Sequence, residues 1–136
     1  NKAVFVSVGG EDNKYKILEH VRMLKNLGFD IYATEHTGEF LNKNNITNIS
    51  VKKIHEAGNP GYNVQNLLEE KKVDIVINIP NSFTQQELDD EYIIRRRVVD
   101  NAIPLLTNMQ LAKLFTEVIS KTSLKDLLVK SWDEYN

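Results

Sequence analysis

The chain has 136 residues, of which 41% are hydrophobic and 26% are charged, and its formal net charge is -2. This length predicts one domain with one core, and the small net charge gives no general attraction to nucleic acid or to a membrane surface. The absence of cysteine excludes disulfides and thiolate metal sites, while His20, His36 and His55 lack the spacing of metal ligands.

Two strand–helix units are predicted in the first part of the chain. Strands are expected over residues 3–8 and 29–33, and apolar residues at helical spacing predict a helix over 13–27 that stops at a glycine. A short helix is expected over 39–44. The pair Gly9-Gly10 lacks the third glycine and the acidic partner of a dinucleotide-binding fingerprint, so we predict no such site there.

The remaining residues continue the alternation of strands and helices. The predicted elements are an alternating edge strand over 49–54, a glycine- and proline-rich loop over 55–62 that could gate a pocket, a helix over 64–72, an apolar strand over 73–80, a helix over 89–100, a strand over 103–108 and a helix over 109–120. Five strands alternating with helices predict an α/β fold with one five-stranded parallel sheet flanked by helices. We therefore expect a domain over residues 1–121 and a helical tail over 122–136, with Trp132 as an anchor on a neighbouring surface.

A threonine-rich turn follows the second predicted strand. Thr34, His36 and Thr37 lie where that strand ends and the next helix begins, which is where open α/β sheets bind ligands. The free N–H groups and the dipole of a helix amino terminus favour a phosphate or a carboxylate. Thr37 could instead be a simple helix N-cap, and the turn alone leaves both interpretations open.

Other polar residues are expected at the same edge of the sheet. Lys53 and Asn78 lie near the carboxyl ends of predicted strands, and Lys14 and Asn81 follow strand ends. Their convergence with the turn favours an anionic ligand. Residues 95–97 are three arginines that fan around a helix, so at least one should face the ligand edge or pair with an acidic residue, unless they form a solvated basic turn.

Four motifs of the chain resemble those of the methylglyoxal-synthase-like domain: Ala33-Thr34-x-x-Thr37-Gly38, Val73-Asp74-x-Val76-Ile77-Asn78, Tyr92-Ile93-Ile94-Arg95-Arg96 and Pro104-Leu105-Leu106-Thr107-Asn108. Within that family the chain is similar to the C-terminal regulatory domains of carbamoyl phosphate synthase large chains. The resemblance implies a five-stranded parallel sheet with an allosteric effector site at the strand ends. It implies Lys14, Thr34, Thr37, Lys53 and Asn78 as effector-binding residues, with Asn81 at a position that the N-acetylglutamate type uses. To these we add His36, from the threonine-rich turn, and Arg95, from the arginine cluster, as expected effector-binding residues.

The implied effector is a nucleotide such as UMP, IMP or UTP, or N-acetylglutamate, and the residues leave this choice open. The chain starts at Asn1 without an initiating methionine or a signal peptide, so we expect a fragment of a longer protein, located in the cytoplasm or the mitochondrial matrix. The fragment is expected to be non-catalytic and to need no cofactor. Its expected partners are the effector, the synthetase domains of the same chain, which would use ATP and Mg²⁺, and a glutaminase subunit or domain, with no nucleic acid and no membrane.

The resemblance also raises an enzymatic alternative. Methylglyoxal synthase takes a proton from dihydroxyacetone phosphate with an aspartate in a Gly-Gly-Asp loop, and the matching residues 59–62 contain no carboxylate. A standalone lyase is therefore disfavoured. A third hypothesis, a domain used only for assembly, requires that no anion binds.

Overall fold

The computed structural model of the protein describes residues 2–53, 63–81 and 84–121. Within these residues the chain forms five strands and five helices in strict alternation. They are β1 (Ala3–Val8), α1 (Glu11–Asn26), β2 (Asp30–Ala33), α2 (Glu35–Lys43), β3 (Ile49–Ser50), α3 (Val64–Glu69), β4 (Ile75–Ile79), α4 (Gln85–Asp100), β5 (Leu105–Leu106) and α5 (Met109–Ile119).

The five strands form one parallel sheet in the order β3-β2-β1-β4-β5, which confirms the predicted fold class. The central strands β1 and β4 are apolar and buried on both faces, as expected where helices cover both sides of a parallel sheet. They pair over five positions, from Val4 with Ile75 to Val8 with Ile79, so both carboxyl ends finish at the same level.

Side chains that alternate along β1 divide the core into two layers. Val4, Val6 and Val8 pack with buried residues of α1, α2 and α5, whereas Phe5 packs on the other face with α3 and α4. All of these β1 residues are at most 2% exposed. Burial on both faces holds the strand ends, and the loops that leave them, in fixed positions.

Three helices begin earlier than the sequence predicts, and for α1 the difference is only from residue 13 to Glu11. Helix α2 begins at Glu35 rather than at residue 39, because the helix includes Gly38. The Asn48 side chain packs closely against this glycine. Helix α4 begins at Gln85 rather than at residue 89, because the side chains of Gln85 and Gln86 hydrogen-bond to acidic residues one turn later, inside the helix.

The predicted edge strand is shorter than expected, since β3 pairs with β2 at only two positions before an isolated bridge between Lys52 and Asn63. The helix predicted over 64–72 ends at Glu69, and Lys71 has a φ of 53°, which is incompatible with a continued helix. The predicted gating loop over 55–62 and the predicted tail over 122–136, with Trp132, lie outside the described residues. Among the described helices, none is long and apolar enough to span a membrane.

Candidate functional site

A cleft of about 260 Å³ lies at the carboxyl edge of the sheet. It is lined by the ends of β1 and β4, the first turns of α1 and α2, and the residue that follows the β3 bridge. The lining residues are Ser7, Val8, Gly9, Gly10, Lys14, Thr34, His36, Thr37, Lys53, Asn78, Ile79, Pro80 and Asn81. The structure thus brings together seven of the eight residues predicted to bind an effector, all except Arg95.

The order of the strands explains why the cleft forms at this point. From β1 the chain crosses to β2 on one side of the sheet, whereas β4 and β5 lie on the other side. The connections that leave β1 and β4 therefore diverge to opposite faces and leave a crevice between the two strand ends. Ligands of open α/β sheets bind at such a switch point.

The amino terminus of α2 opens into this cleft. Thr34 is its N-cap residue, with an extended backbone (φ -70°, ψ 164°), and its side chain makes no capping hydrogen bond. The first intrahelical bond is donated by Gly38 N–H to the Thr34 carbonyl at 2.7 Å. The N–H groups of Glu35, His36 and Thr37 consequently have no intrahelical acceptor, and the helix dipole places partial positive charge beside the cleft.

The hydroxyl of Thr37 ties α2 to β1. Its Oγ1 accepts a hydrogen bond from Val8 N–H at 3.1 Å and lies 3.3 Å from the Val8 carbonyl, to which it donates. Thr34 Oγ1 lies 3.2 Å from Ser7 Oγ and 3.4 Å from Thr37 Oγ1, and both threonines are 3% exposed. Thr37 is therefore not the N-cap that the sequence left as one interpretation, because the cap falls at Thr34.

Gly9 and Gly10 allow the loop after β4 to approach the loop after β1. A Cβ atom added to Gly9 would lie 2.7 Å from Asn81 Cβ and 2.8 Å from Asn81 N, and Gly10 has a φ of 87°, which few residues other than glycine adopt. Gly9 N–H also donates to the Ile79 carbonyl at 2.8 Å. Sequence reasoning missed these glycines as lining residues, although a glycine pair directly after a strand is a signal of close backbone approach.

Positive charge reaches the cleft from two sides. Lys14 extends from the first turn of α1, where its side chain is 12% exposed and lies 3.6 Å from Glu11 Oε1, and Lys53 follows β3. No acidic side chain is found among the described residues that line the cleft. Nor do the described residues contain a group of three histidine or carboxylate side chains that could hold a metal ion.

A smaller hollow of about 30 Å³ continues the cleft toward α4. It shares with the cleft Ser7, Thr34, Lys53, Asn78 and Pro80, and its remaining lining residues are Phe5, Val64, Asp90, Glu91 and Ile94. The hollow therefore places Lys53 beside the acidic and apolar side chains of α4.

Arg95 lies apart from the cleft. Its guanidinium is half exposed and donates from Nε and Nη2 to Glu91 Oε1 at 3.1 and 2.9 Å. Of the two predicted roles for this arginine cluster, Arg95 thus has the pairing with an acidic residue. Its predicted direct contact with an effector stays a prediction.

Residues 16–107 match the model of the MGS-like domain family. With the parallel five-stranded sheet, this match shows that the chain belongs to that family.

Within the family, the chain is homologous to the C-terminal section of the carbamoyl phosphate synthase large chain. It is 40% identical over 113 residues to the human mitochondrial carbamoyl-phosphate synthase [ammonia], and the match covers 82% of this chain and 8% of that protein. It is 39% identical over 131 residues to the C-terminal section of the large chain from Methanocaldococcus jannaschii, covering 96% of this chain and 20% of the relative. The arginine-specific large chain of Cutaneotrichosporon cutaneum is 34% identical over 89% of this chain and 10% of its own length. The chain therefore spans a fifth or less of each of these relatives.

Proposed function

We propose that this chain is the allosteric regulatory domain of a carbamoyl phosphate synthase and that it binds a small anionic effector in the cleft. The observation that carries the proposal is the uncapped amino terminus of α2, which opens into a cleft lined by two lysines and, among its described residues, by no acid. Free N–H groups, a helix dipole and lysine charges at one place favour a phosphate or a carboxylate.

The remaining lining residues support the same kind of ligand. Thr34 and Asn78 add a hydroxyl and an amide to the lining of the same cleft, and both residues are buried at strand ends. Side chains held by buried strands lose little freedom when a ligand binds, so their hydrogen bonds contribute more of their energy to affinity. The candidate effectors are UMP, IMP, UTP and N-acetylglutamate.

In the longer protein, effector binding would bias synthetase domains of the same chain, which would use ATP and Mg²⁺, and a glutaminase subunit or domain would supply ammonia. A coupling of roughly 1–3 kcal/mol is typical of such regulation. The proposed compartment is the cytoplasm or the mitochondrial matrix, and the name of the human relative, which is mitochondrial, supports the second.

The lyase alternative requires a general base within hydrogen-bonding distance of the proton that it removes. The described lining of the main cleft offers no carboxylate for this task, and both carboxylates of the hollow are engaged, Asp90 with Gln86 and Glu91 with Arg95. We expect no formation of methylglyoxal when the chain is incubated with dihydroxyacetone phosphate. Turnover in that assay would contradict a purely regulatory function.

Titration calorimetry of the 136-residue chain against the four candidate effectors and inorganic phosphate tests the proposal. We expect at least one effector to bind, and Lys14→Ala to weaken that binding. Lys16→Ala is the matched control, because it removes the same charge from an exposed residue of α1 that does not line the cleft. If no anion binds, or if both variants weaken binding equally, the cleft is not the effector site.

A further inference from the structure

We infer that Glu11 competes with the effector for Lys14, so that an anion binds in the cleft only by displacing the Glu11 carboxylate from the lysine. Glu11 thereby lowers the affinity of the cleft for anions, although it does not line the cleft itself. This inference rests on the proposed function, because it concerns how tightly the same cleft binds its effector.

The first observation is the position of Lys14 between the cleft and Glu11. Lys14 lines the cleft, and its Nζ lies 3.6 Å from Glu11 Oε1. Glu11 lies three residues earlier, in the first turn of α1, and its side chain is 73% exposed. The same ammonium group is therefore within reach of a solvated carboxylate and of an anion in the cleft.

The second observation is that the ion pair is weak. A charge-assisted hydrogen bond between an ammonium and a carboxylate is about 2.7–2.9 Å long, whereas the Lys14–Glu11 contact is longer, at 3.6 Å. Ion pairs with an exposed partner contribute little to stability. The Glu11 side chain makes no other hydrogen bond or ion pair with the residues that the structure describes. An anion can therefore displace this carboxylate at little cost.

The third observation is that Lys14 is held in place without Glu11. The Lys14 N–H donates to the Gly10 carbonyl at 3.1 Å, and Asn13 Nδ2 donates to the Gly9 carbonyl at 3.0 Å. These bonds tie the first turn of α1 to the loop after β1. The Lys14 side chain is only 12% exposed, and burial of its aliphatic stem restricts where the ammonium group can lie. Glu11 therefore changes the charge that Lys14 offers to the cleft rather than the position of the lysine.

This distinction decides the sign of the effect. If Glu11 positioned Lys14, its removal would weaken anion binding, whereas a competitor strengthens binding when it is removed. One unit charge at about 4 Å in water changes an affinity by roughly fivefold. Removing the carboxylate that partly neutralises Lys14 should therefore strengthen anion binding by about three- to fivefold.

The test is titration calorimetry of the 136-residue chain and of Glu11→Gln with UMP, N-acetylglutamate and inorganic phosphate. At about 0.02 M salt we expect Glu11→Gln to bind each anion that the unsubstituted chain binds about three- to fivefold more tightly. At about 0.5 M salt the gain should fall below about 1.5-fold, because the charges are screened.

Asp12→Asn is the matched control. It removes the same charge from an exposed residue of the same turn that does not line the cleft. Asp12 lies two positions before Lys14, and side chains two apart on a helix do not face each other, so its affinity should change by less than about 1.5-fold. Melting temperatures measured in parallel compare the stability of the two variants, since both lose an acid that favours the start of α1.

A double-mutant cycle shows whether Glu11 acts through Lys14. In a Lys14→Ala background, Glu11→Gln should change the affinity by less than about 1.5-fold, because no ammonium group remains for which the two anions compete. A gain that persists in this background would show direct repulsion between Glu11 and the effector instead of competition for the lysine, and would overturn the inference.

The other outcomes separate this inference from the proposed function. If Glu11→Gln binds with equal or lower affinity than the unsubstituted chain, or if Asp12→Asn gains as much, the inference is wrong while the proposed effector site stands. If none of the three anions binds to the unsubstituted chain or to Glu11→Gln, the proposed function fails and the inference fails with it.

Discussion

Replacing Thr37 by valine separates the structural role of the threonine turn from its role in binding. Valine has nearly the same shape as threonine, so the change leaves no cavity, but it removes the hydroxyl that accepts from Val8 N–H at 3.1 Å and donates to the Val8 carbonyl. Because Thr37 is 3% exposed, water cannot replace these partners at little cost. Leaving a buried backbone group without its side-chain partner lowers the free energy of unfolding by about 1–3 kcal/mol.

The expected change in melting temperature follows from the size of the chain. The unfolding entropy is about 2.1 cal/mol/K per residue, so the melting temperature of a 136-residue chain falls by about 3–4 °C for each kcal/mol of stability lost. Thr37→Val should therefore melt about 4–10 °C lower. Differential scanning calorimetry measures this shift, and Thr37→Ser is the control that keeps the hydroxyl. A melting temperature unchanged in Thr37→Val would refute the reasoning. A loss in Thr37→Ser alone would show that the methyl group, and not the hydrogen bonds, stabilises the turn.

Three further changes test the cleft. Thr34→Ala should weaken effector binding by about 1.5–3 kcal/mol in calorimetry. The fold should stay intact, because the Thr34 hydroxyl makes only long contacts of 3.2 and 3.4 Å within the protein. Normal effector binding by this variant would show that Thr34 is purely structural. The loss of affinity in Lys14→Ala should shrink as salt rises from about 0.01 to 1 M, since the Debye length falls from roughly 30 to 3 Å, and a salt-independent loss would argue against a direct charge effect. Gly9→Ala should lower both stability, by about 1–3 kcal/mol in urea unfolding, and effector affinity, because the new Cβ would lie 2.7 Å from Asn81 Cβ. Gly28→Ala, which strains a φ of 96° far from the cleft, should lower stability alone.

The start of α2 shows why part of the fold escapes prediction from sequence. Gly38 disfavours a helix by propensity, and the predicted helix therefore began after it. In the structure an added Cβ at Gly38 would lie 2.7 Å from Asn48 Oδ1, and Asn48 Nδ2 donates to the Gly38 carbonyl at 3.1 Å. The glycine is required by a contact ten residues away in the chain, which a local pattern does not contain.

The acidic residues of α4 were misinterpreted for a related reason. Acidic residues favour the first turn of a helix, so residues 89–91 predicted its beginning. In the structure Asp89 and Asp90 accept hydrogen bonds from Gln85 and Gln86 one turn earlier, and Glu91 pairs with Arg95 one turn later. Side-chain pairs four residues apart stabilise the interior of a helix, just as acidic residues stabilise its first turn. The sequence alone does not distinguish these two positions for residues 89–91.

The lining of the cleft was more predictable, because parallel strands bring their carboxyl ends to one edge of the sheet. That rule, applied to the ends of β1, β2 and β4, placed Lys14, Thr34 and Asn78 together before the strand order was known. It could not place Arg95, whose position depends on the rotation of α4 about its axis and on its pairing with Glu91.

The two regions of the site rest on different parts of the molecule. In the proposed function, backbone N–H groups at the start of α2 would bind the anion, and the fold sets their geometry because the helix begins at the strand end. The hollow instead borders side chains of α4 such as Glu91, which lies outside the buried core and can change without disturbing the sheet. The same fold can therefore carry different side chains beside an unchanged helix amino terminus, so the fold alone does not determine which effector binds.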